Sequence, residues 1–232
     1  MSFIKIISLI TFISFLNSCG PTKPKILGSN YVWINYESTV KDIQVNNLNI
    51  KEIKLRDEKC NNKYRHVLEL NGMINYDSSY IVEEVLKDIN KNKKCYYGET
   101  PIVTTITLNS EGGLLADGYR MGEIFKKQDV HAMITNNQVC MSSCSMAFLG
   151  ADFRSMQGNA KLMVHSPYRI TNSYTIECIS NKEAEDLRNY YIRMIGSDSG
   201  NTLYDRTMRY CNASDGWTIN SDAAKIFKIT TD

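Results

Sequence analysis

The run Cys140-Met141-Ser142-Ser143-Cys144-Ser145-Met146-Ala147-Phe148-Leu149-Gly150 places a serine where a strand gives way to a helix, and few features constrain a fold as tightly. The small and apolar residues after Ser142 predict a helix over 142–150. A serine at its start sits beside unpaired backbone N–H groups and the positive end of a helix dipole. Two other segments belong with it. Leu108-Asn109-Ser110-Glu111-Gly112-Gly113 sets a glycine pair after a β-rich run, and Met163-Val164-His165-Ser166-Pro167 carries one of only 3 histidines at the end of another. Backbone donors, a nucleophile and a general base are the parts a serine hydrolase needs. Taken singly, each has a plainer reading: serine often caps a helix, a glycine pair often makes a turn, and a histidine can simply be packed.

The surrounding pattern alternates strands with helices, which indicates an α/β fold. An alternating strand over 67–72 breaks at Gly72, and Tyr80, Ile81, Val82, Val85, Leu86 and Ile89 fall at helical spacing over 78–90. A strand over 102–108, a helix over 114–125, a strand over 130–135 and a strand over 161–165 follow. Ala184, Leu187, Tyr190, Tyr191, Met194 and Ile195 then make an amphipathic helix over 182–195. Residues 31–64, polar and rich in Asn and Lys, read as an irregular or β-rich extension. A chain of 232 residues with 43% hydrophobic residues is long enough for one domain with a sizeable core. Its net charge of +2 suggests neither a nucleic-acid groove nor an acidic substrate.

Residues 1–18 are set apart from the fold. Lys5 and the apolar run 6–16, too short to span a bilayer, read as an export signal. The boundary Leu16-Asn17-Ser18-Cys19 resembles the lipobox of bacterial lipoproteins, in which the signal is cut before a cysteine that is then lipid-modified. Gly20, in place of the aspartate that keeps such proteins at the inner membrane, implies an outer-membrane anchor facing the periplasm. Cys60, Cys95, Cys140, Cys144, Cys178 and Cys211 remain, an even set suited to an oxidising compartment. Six cysteines allow fifteen pairings. Spacing makes Cys140 with Cys144 conceivable, and Cys60–Cys95 with Cys178–Cys211 would then complete the set. No cysteine pair has zinc-ligand spacing with a nearby histidine.

The order glycine pair, serine, histidine resembles the Clp protease proteolytic subunit and its crotonase-fold relatives over about residues 65–230. The C-x-S-x-C form is most similar to ClpP-like proteins of bacterial envelopes. The resemblance implies a single ClpP-like domain over 65–232, a superhelix of β-β-α units, preceded by a tether and N-terminal extension over 19–64. It implies Ser142 as nucleophile, with Phe148 in register, while Ser145-Met146 resembles the family's serine-methionine pair and keeps Ser145 in competition. His165 would be the base. Gly112 or Gly113, with the N–H of Ser143, would hold the oxyanion, although Glu111 stands where the family typically has proline. Asp205 is the leading third member, with Asp215, Asn212 or a backbone carbonyl as alternatives. The resemblance implies no metal or organic cofactor and a peptide or unfolded-protein substrate; the helix over 182–195 could build a homo-oligomer of the family's kind, while packing against its own domain explains its apolar stripe equally well. Two other readings stay open: a non-catalytic envelope protein that keeps the fold for binding or assembly, and, more remotely, a coenzyme-A enzyme of the crotonase type.

Overall fold

The structure is a computed structural model that describes residues 25–26, 33–211 and 213–232. The export signal 1–18, Cys19 and Asn212 lie outside the described residues. The first strands are β1 (Lys25–Ile26), β2 (Trp33–Val45), β3 (Leu48–Arg56) and β4 (Tyr64–Gly72), each antiparallel to the one before it. Residues 33–56 are therefore full members of the sheet. Leu48 and Ile50 are fully buried in the main core, and β3 pairs with β4 from Leu48↔Gly72 to Arg56↔Tyr64.

Helix α1 (Ser78–Asn92) follows, then a small hairpin of β5 (Tyr96–Tyr97) and β6 (Thr100–Pro101), and the central strand β7 (Thr104–Asn109). Helix α2 (Leu115–Lys127) leads to β8 (Val130–Ile134) and β9 (Val139–Met141). After α3 (Ser143–Gly150) come β10 (Phe153–Met156) and β11 (Lys161–Val164). A second hairpin, β12 (Tyr168–Ile170) with β13 (Ile176–Cys178), precedes α4 (Glu185–Ile195) and α5 (Ser197–Thr207). The described chain ends with β14 (Trp217–Asn220) and α6 (Ser221–Ile226).

The large sheet has the order β1-β2-β3-β4-β7-β8-β10, and β4, β7, β8 and β10 run parallel. A smaller sheet, β14-β11-β9, carries the second strand of two successive strand–strand–helix units. Isolated parallel bridges Ile74↔Gly113 and Ser110↔Cys140 extend that layer to the glycine loop. The chain ends that leave β7 and β9 are thereby held side by side.

Helix α3 is too short to be stable alone, so burial has to hold it. All of its residues are buried, and Met146, Phe148 and Leu149 each contribute about 2 kcal/mol by leaving water. Helix α4 turns Leu187, Tyr190, Tyr191 and Met194 inward, and the Tyr190 hydroxyl donates to the Met146 carbonyl at 2.7 Å. The apolar stripe read over 182–195 is therefore used inside the domain.

Three disulfides form: Cys60–Cys95, Cys140–Cys144 and Cys178–Cys211. The first and third span 35 and 33 residues, and closures of that size stabilise by about 4 kcal/mol each in the chain-entropy picture. The second spans only 4 residues and contributes about half as much. His66 is packed rather than free, with Nδ1 2.6 Å from the fully buried Glu52 carboxylate, which Lys93 also meets at 2.9 Å. Burial alone would push that carboxyl up, but the bonds from His66 and Lys93 outweigh it and hold Glu52 below its ordinary value.

Candidate active site

Ser142 has φ 52° and ψ −122°, a left-handed conformation that a side-chain-bearing residue adopts only where its surroundings hold it. It is the N-cap of α3 and not its first helical residue, so the expected helix over 142–150 begins one position later. The strand before it is fixed by pairing with β11, and its own N–H donates to the Met163 carbonyl at 2.8 Å. The sharp turn leaves the Ser142 side chain on the wall of a cavity of about 850 Å³.

Hydrogen bonding separates the competing serines. Ser145 is fully buried and its hydroxyl donates to the carbonyls of Met163 at 2.8 Å and Cys140 at 3.3 Å. It braces the turn and does not face the cavity lining. Ser143 is also fully buried, but it is the first residue of α3, so its N–H has no acceptor within the helix.

The glycine pair divides in the same way. The N–H of Gly112 donates to Ser110 Oγ at 3.0 Å, while its carbonyl accepts from the Ile74 N–H at 2.7 Å. Gly112 is thus committed to the loop. A Cβ there would stand 2.6 Å from the Met141 oxygen and 2.7 Å from Ser142 Cβ, so only glycine lets the loop lie against the serine turn. Gly113 has φ 137°, lines the cavity, and its N–H has no acceptor among the described residues. Of the two expected donors, Gly113 has the free N–H and Gly112 does not.

His165 lines the same cavity and is 9% exposed. Its Nδ1 lies 2.8 Å from the Ser166 carbonyl, a pure acceptor, so Nδ1 carries the proton and Nε2 keeps its lone pair. Nε2 has no hydrogen-bond partner among the described residues, so the bond between serine and histidine is not made in this state. The Ser166 N–H donates to the Tyr210 carbonyl at 2.6 Å, and the neighbouring Cys211 is bridged to Cys178 on β13. The carbonyl that orients the imidazole is therefore anchored through the chain after α5.

Asp205 is not brought to this histidine. It is exposed on α5, outside the cavity lining, and the Nδ1 position it would have served is taken by Ser166. The reason is periodicity: α5 turns Gly200, Leu203, Tyr204 and Thr207 inward, which leaves Asp205 on the outer face. Asp215 is exposed as well. Asp205→Ala is expected to change kcat/KM by no more than about twofold, as for an ordinary surface substitution; steady-state kinetics on a peptide or ester would show a larger loss if the carboxylate orients His165.

Sequence reading missed the β12–β13 hairpin. It carries Tyr168 and Ile170 into the cavity lining, with the Tyr168 ring 5.6 Å from that of His165. Tyr168 pairs with Cys178 and Ile170 with Ile176. The apolar alternation on both sides of Thr171-Asn172-Ser173 was the available signal. Met73, Met141, Met146, Met163 and Leu187 complete a largely apolar wall, with Glu111 at its edge.

A second serine–histidine pair exists, with His131 Nε2 2.8 Å from Ser155 Oγ. Ser155 lies within strand β10, paired with Met133 of β8, and it is only 3% exposed. Burial lowers the His131 pKa, as expected of a packed imidazole. This serine sits within a strand, without the strand-to-helix turn that Ser142 has.

No protein-family model and no curated protein matches the chain. Solved structures do. A point mutant of ClpP1 from Listeria monocytogenes aligns with TM-score 0.51 and 17% identity, over 71% of this chain and 88% of that one. A point mutant of 1510-N, a membrane-bound stomatin-specific protease, aligns with TM-score 0.54 and 11% identity, over 70% and 75%. The ClpP protease catalytic domain from Plasmodium falciparum aligns with TM-score 0.50 and 17% identity, over 71% and 81%. At such identities the likeness concerns the fold: this chain has a mixed α/β fold shared with ClpP-type proteases.

Proposed function

We propose that this protein is a serine hydrolase of the bacterial envelope that cleaves peptides or unfolded proteins, tethered by a lipid on Cys19. The observation that carries the hydrolase reading is the left-handed Ser142 at a strand-to-helix turn, on the same cavity wall as a histidine whose Nδ1 is already bonded. Ser142 Oγ attacks the substrate carbonyl while His165 Nε2 accepts its proton. The N–H groups of Gly113 and Ser143 receive the oxyanion, and the Ser166 carbonyl steadies the charged imidazole in place of an acid. The proton then passes from Nε2 to the leaving amine, and water hydrolyses the acyl-enzyme by the reverse route. The apolar cavity wall suits an apolar side chain beside the scissile bond.

Labelling of the intact protein with a fluorophosphonate probe tests this reading. Covalent modification at Ser142 is expected, and a protein that neither labels nor hydrolyses any peptide or ester would overturn it. One observation favours a second reading, a binding or assembly protein: the hydrogen bond between Ser142 and His165 is unmade. Catalytic hydrogen bonds are often completed only when substrate closes the site, so that observation is compatible with the first reading too.

The envelope assignment rests on residues 1–19 and the six paired cysteines. Cys19→Ala is expected to abolish lipid modification and shift the protein out of the detergent phase on phase partitioning; unchanged partitioning would remove the anchor. The homo-oligomer implied by family resemblance draws no support from the apolar stripe of α4, which is spent inside the domain.

A further inference from the structure

We infer that the Cys140–Cys144 disulfide is a positioning clamp that holds Ser142 in its left-handed conformation; this rests on Ser142 being the nucleophile. The two cysteines stand two residues before and two residues after that serine, and their Cα atoms are 5.2 Å apart. In serine turns of the G-x-S-x-G kind, these two positions are glycines. Here the same positions are joined covalently.

The geometry explains why the bond matters locally. A left-handed serine costs free energy and persists only where neighbouring structure over-determines it. An extended Ser142, simply continuing β9, would part residues 140 and 144, and a disulfide tolerates Cα separations only to about 7 Å. The hydrogen bonds of Ser142 N–H and Ser145 Oγ to the Met163 carbonyl pin the turn to β11. The disulfide instead ties the strand limb directly to the helix limb, closing a ring around the serine. It also fixes the Ser143 N–H, the first free donor of α3, relative to the nucleophile.

Its small span argues against a role mainly in global stability. Closing a loop over 4 residues removes about half the chain entropy that closing the 35 or 33 residues of either other bridge does. Both cysteines are fully buried in the main core. A reactive or exchangeable pair would need access, and this one has none.

Two variants test the clamp: C140A/C144A, and C140V/C144A, which restores volume without a bond. Crystal structures of the wild type and both variants report the Ser142 φ directly, whether or not the protein hydrolyses anything. The expected result is positive φ in the wild type only. Fluorophosphonate labelling and kcat should fall by about tenfold or more, with KM changing much less because Met73, Met163, Tyr168, Ile170 and Leu187 of the cavity wall are untouched. A merely stabilising bridge would lower the melting temperature and leave kcat of the folded protein intact. Variants that keep positive φ overturn the clamp, whatever their activity, and so does wild-type labelling in a variant with shifted φ. Failure of both variants to fold would make the bridge a staple of the whole domain and equally overturn it. A wild type that never labels, combined with a shifted φ in the variants, leaves the clamp standing and removes the hydrolase reading alone.

Discussion

Ser142→Ala is expected to abolish fluorophosphonate labelling and to lower kcat by at least about 10⁴-fold, the scale on which a nucleophile and its base act as one unit. The substitution removes a single hydroxyl from a residue that is neither fully buried nor bonded through its side chain, so the melting temperature should stay within a few degrees of wild type. His165→Ala should cost about as much, and the double variant no more than either alone, because losing one member already disables the other. The same data test Ser145. Its hydroxyl bonds two carbonyls in the core, so Ser145→Ala should lower stability by about 1 kcal/mol and leave labelling in place. A Ser142→Ala protein that still labels, with Ser145→Ala silent, would transfer the role to Ser145 and refute the site as drawn.

The parts of the fold that a linear pattern can encode were legible. Hydrophobic spacing located α1, α2 and α4 to within a few residues, and the glycine pair and the serine turn marked where β7 and β9 hand over to helices. Cysteine parity and spacing pointed toward the three bridges that form. What escaped depends on long-range pairing. Residues 33–56 read equally as irregular or β-rich because polar side chains interrupt the alternation, and it is pairing with β4 on one side and β2 on the other that gives β3 its place. Asp205, the leading candidate for a third member beside the backbone-carbonyl alternative, faces away from His165 for a local reason that was in fact readable. Gly196, at φ 86°, breaks the helix between α4 and α5, and the spacing of Leu203, Tyr204 and Thr207 already turns Asp205 outward. Position along the chain, on which Asp205 was the leading candidate, carries no information about which face of a helix a residue occupies. The carbonyl of Ser166 could not have been selected from side-chain identity at all, since any residue supplies one.

Gly113→Ala is expected to lower kcat by roughly 10²–10³-fold with KM little changed, the signature of a donor that acts on charge present only in the transition state. Two features make the substitution costly. Its φ of 137° lies outside the regions open to alanine, and the added methyl would run into the Ile74 carbonyl. That carbonyl accepts the Leu114 N–H at 2.8 Å and is part of the bridge that fixes the loop beside the serine turn. The backbone must shift to admit the methyl, and the Gly113 N–H shifts with it. Gly112→Ala offers the contrast. Its N–H is already committed to Ser110, and its methyl would press on Ser142 itself, so the nucleophile would be displaced rather than a donor. The two variants should therefore differ in the crystal: an unmoved Ser142 with Gly113→Ala, a displaced one with Gly112→Ala. If Gly113→Ala keeps kcat within about threefold of wild type, the oxyanion is held elsewhere. The assignment of donors by hydrogen-bond accounting would then fail even with Ser142 confirmed as nucleophile.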